Sequence, residues 1–123
     1  MSVEQVLRDA LINDGSVNAL LDSRIYPLVV PQDSQLPAVA YQKISGVRQY
    51  VQDGARKPEV SLIQLTCLSK TYNEAKQVEE VIRTALDGKK INDLIVFVQN
   101  RRDDFTRDGE ISVVRIDLRI YYG

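Results

Sequence analysis

The side chains best equipped for chemistry are few and scattered. Asp103 and Asp104 stand together in "NRRDDFTRDGE", and paired carboxylates can serve a metal ion or acid-base catalysis. Arg101, Arg102 and Arg107 flank them, so the run reads more simply as a loop that neutralises its own charge in water. The ligand alternation of a calcium loop is absent, which leaves no metal assigned. Cys67 has Leu65 and Leu68 as apolar neighbours and no adjacent base to activate it, the setting of a buried, inert thiol. The Asp-Gly pairs Asp53-Gly54, Asp87-Gly88 and Asp108-Gly109 punctuate elements; none sits in a phosphate-binding glycine pattern.

The chain of 123 residues has no histidine. That removes the commonest general base, the commonest metal ligand and the partner of most serine and cysteine nucleophiles, so an enzyme is not expected. Sixteen basic and 17 acidic residues leave a net charge of −1. No global field then favours nucleic acid or anionic lipid, and the basic "GARK" and "RR" runs lack the interleaved aromatics of a nucleic-acid surface. One cysteine excludes an intrachain disulfide and fits a reducing compartment. No apolar run approaches the roughly 20 residues that span a bilayer, and the N-terminus lacks a basic and then greasy leader.

Two amphipathic helices and about five strands must position these groups. Ser2 and Gln5 resemble a capping box, and Val3, Val6, Leu7, Ala10 and Leu11 recur at helical spacing, which predicts a first helix over 3–13. "NDGS" breaks it, and 17–21 adds a further helical turn. Segments 24–28 and 38–44 read as strands, bounded by Pro27 and Pro37, with a loop stiffened by Pro31 between them. Segments 47–51 and 59–68 predict a hairpin whose charged tip is "QDGARKP". Thr71 with Glu74, the stripe Ala75, Val78, Ile82, Ala85 and Leu86, and Gly88 predict a second helix with its C-terminal glycine.

The run 94–98 suits a central strand. In the last strand Val114, Ile116, Leu118, Ile120 and Tyr122 alternate with Arg115, Asp117, Arg119 and Tyr121, so one face is buried and one wet. Of Tyr121 and Tyr122, one therefore packs inward and the other is a cross-strand partner or an interface anchor. The fold class is α+β, an antiparallel or mixed sheet of about five strands with two helices on one face, in a single domain over 1–123.

The order "SVNALLDSRIYPLVVPQ", "LPAVAYQKIS", "TYNEAKQVEEVIRTALDG" and "RRDDF" followed by "DGEISVVRIDLRIYY" resembles the tail-completion, or tail-terminator, proteins of long-tailed bacteriophages and prophages. The resemblance covers nearly the whole chain. It implies a structural virion protein that assembles as a hexameric ring on the finished tail tube, ends tube growth and offers a surface for joining the head. The partners it implies are further copies of the chain, the tail tube protein and a head-completion or connector protein, with neither membrane nor sequence-specific nucleic acid. It implies no cofactor, and a place at the head-tail junction of the virion after assembly in the bacterial cytoplasm.

Two rival readings are a connector or stopper at the head portal and a cytosolic regulatory domain that binds a small molecule. "QLTCLSKTY" departs from the family in carrying Cys67 and Ser69 where an apolar or aromatic strand end is expected. The candidate assembly interface is the two charged loops: Asp53, Arg56 and Lys57 in one, Arg101, Arg102, Asp103, Asp104 and Phe105 in the other. Charge reversal at Arg101 and Arg102 together is expected to leave the monomer folded and to weaken assembly.

Overall fold

A computed structural model describes residues 3–47, 59–92, 94–105 and 111–122. Helix α1 spans Val3–Asn13 and buries Leu7 and Leu11. "NDGS" does more than break it. The Asp14 carboxylate accepts the Ser16 and Val17 amides at 3.0 and 3.1 Å, so α2 starts at once and runs Gly15–Leu21. A short β1, Ile25–Pro27, ends at its proline, and β2, Ala38–Val47, starts directly after Pro37, which follows a cis peptide bond.

Strand β3, Glu59–Ser69, leads into α3, Tyr72–Leu86. The expected capping box takes a modified form. Thr71 Oγ1 accepts the Glu74 amide at 3.2 Å, while the Glu74 carboxylate takes the Ser69 hydroxyl and Ser69 Oγ accepts the Thr71 amide at 3.4 Å. Ser69, the departure from the family pattern, thereby becomes a buried part of the helix cap. After α3, Gly88 adopts φ +70° and donates its amide to the Val96 carbonyl at 2.8 Å, turning the chain into β4, Lys89–Ile91. Strands β5, Leu94–Phe105, and β6, Ser112–Tyr122, follow.

The six strands form one sheet in the order β1-β2-β3-β6-β5-β4. The β1-β2 pair is parallel and every other pair antiparallel, so the sheet is mixed. Helix α3 crosses β3, β5 and β6, whereas α1 touches both β2 and β4. A sheet whose second and last strands meet one helix must curl around it.

The core lies between the helices and one face of the sheet. It joins Leu7, Leu11, Val17 and Leu21 to Ile63, Leu65 and Cys67 of β3, to Val78 and Ile82 of α3, and to Val114, Ile116, Leu118 and Ile120 of β6. The buried face of the last strand is the one its alternation predicted. Cys67 is fully buried there; its thiol is held far above its ordinary pKa, first by desolvation and then by the nearby Glu79 charge. A thiol reagent is expected to label Cys67 slowly in the folded protein and at once in denaturant, and a rapid stoichiometric reaction of the native protein would overturn that burial.

Relative to the expectation, β4 and α2 are full elements and β5 is far longer. The expected strand over 47–51 contributes Val47 to β2; its remainder, 48–51, lies outside the described residues.

Candidate assembly surface

Of the sequence-chosen interface residues, Asp53, Arg56 and Lys57 lie outside the described residues. Arg101, Arg102, Asp103 and Asp104 do not form a loop: all four belong to β5, whose last residue is Phe105. The reason is cross-strand pairing. Segment 100–105 is registered residue by residue against β6, from Asn100 opposite Asp117 to Phe105 opposite Ser112, and a partner strand overrides the weak strand preference of Asn, Arg and Asp.

A register shift between Val98 and Asn100 sets which way each charge points. Beyond it, Arg101 stands opposite Ile116 and Asp103 opposite Val114, on the helix side of the sheet. Arg101 Nη1 donates to Glu79 Oε1 of α3 at 2.9 Å, and Arg83 approaches the same oxygen at 3.6 Å. The Glu79 side chain is only 5% exposed, so these arginines compensate a carboxylate withdrawn from water. Glu79 was invisible as a site in sequence reasoning, because an acid inside a helical stripe reads as surface.

The Asp103 carboxylate accepts the Tyr72 hydroxyl at 2.8 Å and the Lys76 ammonium at 3.1 Å. These bonds, Tyr72 first, hold the Asp103 carboxyl below the usual carboxylate range, while the bond to Asp103 pushes the Lys76 ammonium up. The stabilisation from Asp103 is therefore present above its unfolded pKa of about 3.9 and lost as pH falls through the lowered folded value. That from Lys76 is present below about 10.4 and lost as pH rises through its raised value. Both groups are exposed, so salt weakens the link. The gap between the melting temperatures of the parent and Asp103→Asn is expected to close as pH drops below the carboxylate range; a gap that stays constant would show that the link carries no stability.

Arg102 and Asp104 point to the opposite, helix-free face. Arg102 lies directly across from Arg115, yet each is neutralised on the diagonal: Arg102 by Asp117 at 3.6 Å and Arg115 by Asp104. The four charges make a two-by-two lattice on the sheet. The self-neutralising character read from the sequence is present, but it is tied to named partners on α3 and β6. Nearer the start of β5, Ile95 and Phe97 occupy this same face, with Tyr121 set edge-on to Phe97 at 5.9 Å and Arg119 over the Tyr121 ring at 5.5 Å. Tyr121 is thus a cross-strand partner.

Strand β4 covers β5 only through Val96, and among the described residues no other strand pairs with that edge of β5. Two of its amides are met by side chains instead. Asp87 Oδ1 accepts the Val98 amide at 2.9 Å, and Asn100 Oδ1 accepts the Arg101 amide at 2.9 Å. Amides engaged in this way do not pair with an added strand.

The described residues thus form a small curled α+β sheet whose charges are paired across registered strands and whose β5 edge has two amides taken up by side chains. The chain belongs to the family described as Tail completion protein gp17, whose sequence model matches residues 5–123. It is a family of phage tail structural proteins, not of enzymes. No curated protein matches the chain. Among solved structures, a chain from "Virion of native gene transfer agent (GTA) particle" is similar, with a TM-score of 0.81 at 14% identity, over 98% of this chain and 94% of that one. At that identity the likeness is one of fold.

Proposed function

We propose that this chain closes the end of the phage tail tube: copies assemble head-to-tail into a ring of six, the ring stops tube growth, and its outer surface receives the head connector. The observation that carries this reading is the tail-completion family match over nearly the whole chain. A fold shared with a chain of a gene transfer agent virion supports it, as does an edge strand with two amides already taken up by side chains, since a closed ring needs contacts that do not propagate. The partners are then further copies, the tail tube protein and a head-completion protein, and the working location is the head-tail junction of the virion. Residues 1–123 act as one unit in this scheme.

Electron microscopy of the purified protein mixed with tail tubes tests it. A ring seated at one end of each tube is the expected image. Binding only to head portals would replace this reading with that of a connector, and binding to neither would remove both.

A further inference from the structure

We propose that Leu28 and Val29 of one copy dock on the Ile95 and Phe97 patch of the next, forming the contact that closes the ring; this rests on the ring reading above. The two sites lie towards opposite edges of the sheet order, one just past β1 and the other where β5 meets β4. A head-to-tail contact requires two such different, complementary patches on each subunit.

The first patch is rigid and costly to display. Leu28 holds φ +67°, a left-handed conformation that a residue with a bulky side chain rarely adopts. Its amide donates to the Tyr41 carbonyl at 2.8 Å, and the Val29 amide to the Pro27 carbonyl at 2.7 Å, so the turn is fixed from both sides. The result is two adjacent aliphatic side chains left 66% and 72% exposed. Nothing in the monomer's own core requires that. A strained turn that exhibits apolar groups is a contact element.

The receiving patch is flat and apolar at its centre. Ile95 and Phe97 are 40% and 44% exposed, stiffened by Tyr121 beside them, an aromatic and aliphatic centre of the kind that anchors interfaces. Its rim is cationic: exposed Lys90 stands opposite Ile95, and Arg119 opposite Phe97. The surroundings of the first patch carry acids. Asp33 is exposed in the turn closed by the Ser34 amide and the Pro31 carbonyl, and the cleft that Pro27 lines carries two acids, Glu4 and Asp9, against one base, Arg8. Opposite rims attract across a head-to-tail contact. The Val98 and Arg101 amides of the β5 edge are already engaged, which disfavours strand addition there, so the joint is made by side chains.

The test uses two single variants of the full chain, Val29→Asp and Phe97→Asp. Each spoils one patch and leaves the other. Alone, each is expected to raise the protein concentration needed for ring formation about a hundredfold, because docking would bury an unpaired carboxylate. Mixed in equal amounts, they retain one intact joint per pair, and analytical ultracentrifugation should show discrete dimers that cannot close. Circular dichroism checks the fold. Should Phe97→Asp fail to fold, Lys90→Glu, at an exposed position, replaces it and should weaken rings alone and regain them when combined with Asp33→Lys. Rings at the parental concentration from both variants would overturn this contact while leaving the ring intact. Absence of rings from the parent, with and without tubes, would bring down the ring reading and this contact with it.

Discussion

Ile116→Asp leaves no folded population in a thermal melt followed by circular dichroism, while Arg115→Ser melts close to the parent. Ile116 is fully buried on β6, registered between Leu65 and Arg101 and packed in the core beneath α3. The substitution removes a side chain worth about 2 kcal/mol of burial and leaves an unpaired carboxylate where water cannot reach, at a further cost of several kcal/mol. Against a total stability of roughly 5–15 kcal/mol for a domain of this kind, that sum is decisive. Arg115, one residue earlier, lies on the helix-free face in an exposed pair with Asp104, an interaction worth about 0–1 kcal/mol. Equal destabilisation by the two would mean that the strand does not divide its faces as described.

Charge reversals at the adjacent arginines are expected to diverge just as sharply. Arg101→Glu sets a second carboxylate against Glu79, which is nearly withdrawn from solvent and keeps Arg83 at 3.6 Å. The melting temperature should fall further than for any other exposed position on β5. Arg102→Glu faces Asp117 on the open side, where water screens the repulsion, and should leave the fold nearly unchanged. This replaces the expectation that reversing both arginines spares the monomer. A double-mutant cycle completes the measurement: Glu79→Gln should recover much of what Arg101→Glu loses. No recovery would show that the two side chains do not act on each other.

The last strand, α3 and the proline-bounded limits of β1 and β2 were legible because each rests on local periodicity or on a backbone rule, and these hold whatever lies nearby. The two amphipathic helices and the wet and dry faces of β6 follow from spacing alone. What could not be read was decided by neighbours. Asn100 to Asp104 carry no strand preference and became strand because β6 runs alongside. Glu79 occupies a helical position that looks solvated and is buried because β5 closes over it with Arg101. Asp14 looked like part of a break and is a cap, a distinction that depends on where its carboxylate points. Leu28 looked like the end of a strand and Val29 like the start of a loop; the positive φ of Leu28 shows that the chain already turns there.

The central pairing of β3 with β6 has a consequence for how the molecule comes into being. These are the two middle strands, matched from Glu59 with Tyr122 to Ser69 with Ser112, and the partners stand roughly forty to sixty residues apart in sequence, so closing them carries a large loop entropy before any contact rewards it. On a ribosome, β1, β2, β3 and α3 all emerge before the strand that lies at the heart of the sheet. Their apolar faces have no complete core until β6 is present. A chain shortened before β6 would therefore hold neither face of the finished sheet, and the order of synthesis sets when the core can close.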